Sequence, residues 1–313
     1  MAIMGIKSLI TNFENSLGFK SEIKWSNVII IIGHHIFGLY WCWHYAFPVK
    51  LLTVFFAFVM FVISGFGITC GVHRLFTHKS YKVNTGLKMY LMLSFCACGQ
   101  NSIYEWVRDH RLHHKQSDTE ADPHNVNRGL FFSHIGWLMM KKNEEVKKNG
   151  QKIDMSDIEG DKIIMYNIPL KIMFCYILPT TLNIYLWNEG WKCAVAWQCI
   201  IRYWTVFHSE MTVNSLAHAY GYKPYNKNII PAENRFVSTV TFGEGWHNYH
   251  HTFPFDYKTA EYCDPLNWSY WFIRFCEKMG WAYDLKEASP DMISSVMKRI
   301  GDGTETDNFE KYD

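Results

Sequence analysis

The chain has 313 residues, 19% of them charged and 17% aromatic, and a formal net charge of +2. That length builds one large domain or two small ones, and so small a net charge excludes an electrostatic case for nucleic acid. The low charged share suits partial contact with lipid, while nine cysteines without a CxxC pair predict buried free thiols facing a reducing compartment.

In chain order, the first twenty-five residues lack an apolar core followed by a cleavage site, so no cleaved signal peptide is expected. Two apolar stretches follow, at 28–47 and 51–69, each long enough to cross a bilayer and free of acids, Lys and Arg. The turn between them holds Pro48, so they predict a helical hairpin. A run at Leu87–Ile103 is ambiguous. If it crossed, the histidines at 73–78 and those at 110–114 would fall on opposite sides of the membrane, so a buried or interfacial helix is expected. A second hairpin is predicted at 168–187 and 191–213, joined by Asn188–Gly190. Its second arm carries Arg202, His208 and Glu210, which must face the protein interior or lie near an end.

Lys and Arg concentrate between the hairpins and after them, whereas both hairpin turns are nearly uncharged. The positive-inside rule then places both termini in the cytosol. The expected architecture is an all-α integral membrane protein with four transmembrane helices in two hairpins. Residues 1–279 form one domain, with cytosolic segments at 70–167 and 214–279. Residues 280–313 form a C-terminal segment whose acidic end is a flexible tail.

Fifteen histidines stand out, and most of them cluster. They read His73-RLFT-His78, His110-RL-His113-His114 and His247-NY-His250-His251, with His218 four residues after Asn214. On a helix, positions i, i+3 and i+4 share a face, so each HxxHH projects three imidazoles one way. His73 and His78, five apart, diverge on a regular helix and are expected where the second span ends and unwinds. Nine imidazoles exceed a four-ligand structural zinc site. Two metals with four or five nitrogen ligands each fit better, and residue type alone leaves iron, copper, zinc and nickel open. His34, His35, His44, His124, His134 and His208 lack such spacing and are expected to be structural.

These boxes in this order, around two hydrophobic hairpins, resemble the membrane acyl-CoA desaturases of the stearoyl-CoA desaturase family. The likeness runs from about Trp25 to Met279 and includes NSIYEWVRDHRLHHKQSDTEADPHN (101–125) and GEGWHNYHHTFPFDY (243–257). The wording is nearest to insect members, including those making moth pheromone precursors.

The resemblance implies two iron ions held in a cytosolic cap by His73, His78, His110, His113, His114, His218, His247, His250 and His251, with Asn214 reaching one metal through water. It implies O2 as co-substrate and electrons from cytochrome b5 and its NAD(P)H-dependent reductase, which are separate proteins because no fused haem domain is recognisable. It implies the endoplasmic reticulum membrane, a long-chain fatty acyl-CoA substrate and a cis double bond, at delta-9, delta-11 or another position.

Asn101, Arg108, Asp109, Lys141 and Lys142 match contacts to the CoA head, whose phosphates favour cationic partners. Trp106 matches an aromatic at the bend of the acyl tunnel. The chain departs from relatives at Glu210 and Met211, which are expected to line the tunnel near the metals. Near the tunnel end, Phe61 and Gly65 are expected, with Gly65 leaving room for longer acyl chains. A related membrane di-iron fatty-acid or alkane hydroxylase shares the boxes but not the head contacts. A membrane metal transporter would place its site at mid-bilayer depth on broken spans.

Overall fold

The computed structural model describes residues 21–165, 167–262 and 264–304. Expectations for the first twenty residues, for Cys263 and for the tail from 305 onward lie outside the described residues.

Helix α1 (Trp25–Tyr45) and helix α2 form the first hairpin. Helix α2 is α-helical over Leu51–Phe66 and continues without a break as a π-helix over Gly67–Thr77. The expected unwinding near Thr69 does not occur. The wider i→i+5 turn resolves the HxxxxH spacing, because residues five apart return to one face. His78 N donates to His73 O at 3.1 Å, and the two rings stand 4.9 Å apart. Thr77 Oγ1 bonds Val72 O at 2.7 Å, again five residues back.

Helix α3 (Thr85–Cys96) is capped by Asn84, whose side chain accepts from Leu87 N at 2.9 Å. It ends well before Ile103 because the chain turns at Gly99, where φ is +71° and a Cβ would meet Cys175 Sγ at 2.8 Å. A capping box of Ser102 and Glu105 then starts helix α4 (Ile103–Gln116). The apolar run therefore breaks in two and packs on the π-helix. Buried Cys70, Val72, Leu91, Phe95, Ile103 and Val107 share one core there.

Short helices α5 (Leu130–His134) and α6 (Glu144–Gly150) lead to the second hairpin. Its arms are α7 (Asn167–Trp187) and α8 (Trp191–Ala219), each with an internal π stretch. The hairpin turns meet. Glu189 accepts from Lys50 N at 3.0 Å and Thr53 Oγ1 at 2.5 Å, and Lys50 Nζ reaches Trp187 O at 2.7 Å. Arg202 is buried and donates to Gln198 O at 3.0 Å, Ala97 O at 2.8 Å and Cys175 O.

By length and composition, Leu51–Thr77 and Leu170–Trp187 are apolar enough to cross a membrane. The hairpins also turn large apolar side chains outward, with Trp43 88%, Leu51 82% and Tyr185 84% exposed.

Short helices α9 (Arg235–Val240) and α10 (His247–Thr252) precede α11 (Trp268–Lys278) and α12 (Pro290–Ile300). Residues 280–304 pack back onto the rest. Strand β2 (Ala282–Tyr283) pairs antiparallel with β1 (Lys82–Val83), and Ile293 joins Tyr249 and Phe253 in a small core.

Gly67 begins the π-helix where α2 meets α3, and a Cβ there would lie 2.2 Å from Phe95 N. Gly67→Ala is expected to destabilise the protein by about 1–3 kcal/mol through overpacking against backbone. Thermal unfolding in detergent checks this; an unchanged midpoint would show that the contact is not tight.

Candidate metal centre

The π-helix, α4 and α10 bring His73, His78, His110, His114 and His250 together, with one ligand nitrogen from each within 4.8 Å of every other. His250 Nε2 lies 2.9 Å from His73 Nε2 and 3.0 Å from His114 Nε2. A second set joins His113, His218, His247 and His251 by the same measure. There, Nε2–Nε2 separations are 3.1 Å for His218–His247, 3.2 Å for His247–His251 and 3.3 Å for His113–His251. All nine histidines of the sequence set meet, and the HxxHH triplets are shared. His110 and His114 join the first group while His113 joins the second; His250 joins the first while His247 and His251 join the second.

Carboxylates fix which nitrogen of key rings carries the proton. Asp122 Oδ2 lies 2.9 Å from His113 Nδ1, Asp118 Oδ2 lies 3.0 Å from His218 Nδ1, and Glu244 Oε2 lies 2.9 Å from His73 Nδ1. With the Nδ1 proton facing a carboxylate, each ring presents an Nε2 lone pair to the cluster. Lone pairs facing one another about 3 Å apart repel unless a cation lies between them. That spacing suits neighbouring ligands on one ion with bonds of about 2.1 Å. His78 Nε2 and His110 Nε2 are buried without a hydrogen-bond partner, as metal-directed nitrogens would be. The donor set fits a pair of metal ions.

Burial pushes His78, His110, His114, His247, His250 and His251 well below the ordinary imidazole range, and the neighbouring imidazoles push the same way. Neutral rings are the ligating form. His113 differs. Burial lowers it, but Asp122 outweighs burial and raises the net value. Glu244 resists burial through Arg74 and then His73, and sits below the usual carboxylate range. Arg74 is itself fully buried, donating to Glu244 at 2.8 Å and to Tyr257 O at 2.8 Å.

Asp118, Asp122, Glu244 and Arg74 are absent from the sequence-predicted set. The available signal was proximity: Asp118 and Asp122 follow the second box within eight residues, and Glu244 precedes the third by three. His124, expected to be structural, lies with Asp122 beside His113, and burial lowers it to about 3. His134, His208 and His35 form a separate hydrogen-bonded row, with ring nitrogens 3.1 Å apart at both links.

A cavity of about 330 Å³ runs beside the clusters. Asn101, Asp109 and Lys171 line it, as do Trp106, His110, Glu210, Met211 and Asn214. Trp106 stacks on His110 at 4.8 Å and donates from Nε1 to Glu210 Oε1 at 2.9 Å. Asn214 stands one turn before His218 on α8. Asp109 gathers Lys142 and Arg108, the latter at 3.3 Å, while Lys141 pairs with Glu22. Phe61, Gly65 and Glu210 line a second, apolar cavity of about 40 Å³. Gly65 does not leave room as expected: a Cβ there would lie 2.2 Å from the Phe242 ring, which fills the space.

Removing the carboxylate behind His113 is expected to weaken the four-histidine site about 10–100-fold. In Asp122→Ala, metal analysis after chelator dialysis is expected to show that site depleted and the five-histidine site retained. Full content at both would show that Asp122 does not support the ligand.

Residues 47–284 match the sequence model of the family described as Fatty acid desaturase. An "Acyl-CoA Delta-9 desaturase" of Acheta domesticus is 46% identical over 291 residues, covering 91% of this chain and 81% of that protein. An "Acyl-CoA Delta(11) desaturase" of Spodoptera littoralis is 46% identical over 300 residues, covering 94% and 88%. "Acyl-CoA desaturase 3" of Mus musculus is 44% identical over 289 residues, covering 91% and 80%. With nine histidines converging beside a cavity and a family match across most of its length, the chain belongs to the fatty acid desaturase family.

Proposed function

We propose that this protein is an O2-dependent acyl-CoA desaturase that sets a cis double bond in a long-chain fatty acyl-CoA. The observation that carries the reading is one contact chain: a cavity with a polar mouth passes Trp106, and Trp106 stacks directly on a histidine of the five-membered cluster. Relatives with acyl-CoA desaturase names at 44–46% identity support the substrate class.

Two irons would be held by His73, His78, His110, His114 and His250 on one side and by His113, His218, His247 and His251 on the other, with Asn214 reaching its metal through water. When bound, this pair supplies the oxidation of two adjacent methylenes, with O2 taken to water by the two hydrogens removed, two electrons and two protons. A methylene C–H offers nothing to general-base chemistry, so the protein's work is position and exclusion of water.

At the mouth, Asn101, Arg108, Asp109 and Lys142 receive the CoA head, with Lys141 at the rim beside Glu22. Asp109 holds Arg108 and Lys142 side by side for phosphate. At the bend, Glu210 fixes the indole of Trp106, and Met211 completes the wall. A clamped head and a fixed bend present one carbon pair to the metals, and regiochemistry follows from that distance.

We place the hairpins as four crossings at 28–47, 51–69, 168–187 and 191–213. Supporting this, the two hairpin turns bond each other at one end of the bundle, and the histidines gather away from them. The Lys/Arg bias then puts the histidine cap and both termini in the cytosol, on the endoplasmic reticulum membrane. Cytochrome b5 and its NAD(P)H-dependent reductase would deliver electrons to that face.

Expression in desaturase-deficient yeast, with mass-spectrometric localisation of new double bonds, tests the reaction. A new monounsaturated acyl chain is expected, and His113→Ala should lower its yield by about 100-fold or more. An alcohol in place of the alkene would overturn the reading. In the same assay Glu210→Leu, which frees the Trp106 N–H, is expected to redistribute products between adjacent positions, whereas Glu210→Gln, which keeps the acceptor, is not. Identical product ratios for Leu, Gln and wild type would remove Glu210 from positioning.

A further inference from the structure

The apolar cavity that shares Glu210 with the larger one is small. It is lined by Ile68, Val206, Ser209 and Val213 as well as by Phe61 and Glu210, and holds about 40 Å³ against about 330 Å³ for the cavity beside the clusters. Phe242, 5% exposed, is part of its wall. Phe242 adopts φ +61°, a left-handed conformation that bulky residues avoid. The following Gly243 is also left-handed at +111°, with no room for a Cβ beside Asn267.

This turn throws the phenyl ring across Gly65 and into an aromatic cage. Ring centroids lie 5.0 Å from Phe61, 6.1 Å from Phe66 and 5.4 Å from Trp268, the last nearly parallel at 15°. Gly65 and Phe242 fit as a pair: the first gives up a side chain so that the second can lie flat on α2. Strain of this kind persists only where surrounding contacts over-determine it. Here those contacts hold a ring in the wall of the cavity.

We infer that Phe242 is the stop of the acyl tunnel, and that this enzyme selects acyl-CoAs whose segment beyond the reacting carbons is short. The inference rests on the acyl-CoA desaturase reading and on the tunnel passing Trp106 and Glu210. A chain that passes Glu210 into this cavity runs onto the ring. Each further methylene must displace a side chain gripped from three sides. Length is thus set from the loop that precedes the third histidine box, with α2 supplying only a flat bed.

The test compares the full-length protein with Phe242→Ala, Phe242→Leu, Gly65→Ala and Ser209→Phe on saturated acyl-CoAs of increasing length. Metal content per chain is measured alongside to show that each variant is assembled. Phe242→Ala is expected to raise the ratio of kcat/KM for longer over shorter chains about tenfold or more, the scale of a methylene admitted to an apolar pocket. Phe242→Leu should move the same way by less, and it is the variant read if the alanine form fails to load metal. Gly65→Ala, which pushes the ring from behind, and Ser209→Phe, which fills the cavity from the opposite wall, should both favour shorter chains.

An unchanged profile in the assembled Phe242 variants overturns the assignment. If Ser209→Phe shifts the profile while the Phe242 variants do not, the tunnel stands and the stop lies elsewhere. If none of the four shifts it, the tunnel reading itself fails.

Discussion

Nine imidazoles share a volume from which water is largely excluded, and the whole cap is arranged to keep them there. Packed this closely, protonated rings would repel one another and lose hydration together, and burial holds most of them neutral. Neutrality does not remove the conflict, because Nε2 atoms about 3 Å apart still oppose lone pairs. A positive charge between them turns that conflict into coordination. The cap is a cage with the donor set to hold cations.

The anions that orient the rings are themselves buried, so each needs compensation. Glu244 has Arg74, whose remaining donors cap the Tyr257 and Lys258 carbonyls. Asp122 has His113 on one oxygen, His124 on the other side, and the Asp118 and His124 backbone amides. Buried ions with every partner in place hold geometry well, whereas removing one partner leaves an exposed cost. The same residues that set the tautomers also tie the π-helix to the loops of the third box. Ligand geometry and tertiary structure here are one network.

Much of this was legible in the sequence. Hydrophobic runs located both hairpins, and the turns at Pro48 and Asn188–Gly190 joined them as expected. The HxxHH boxes fell on helices because i, i+3 and i+4 spacing leaves little alternative. The HxxxxH box was misread because a period of 3.6 was assumed where a π-helix runs. Local propensity does not encode that choice; packing of α3 on Gly67 accompanies it. Asp118, Asp122 and Glu244 were missed because one-dimensional distance says nothing about which way a carboxylate turns. Gly65 was read as empty space because its occupant, Phe242, lies 177 residues away, the difference of the two positions in the chain.

The division of each HxxHH triplet between two clusters reaches beyond ligand counting. Helices α4 and α10 each send rings to both groups, so neither group can shift without levering the other through a rigid strut a turn or so long. The centre therefore behaves as a single joint with two sockets. The two sockets share their frame while each keeps its own set of rings.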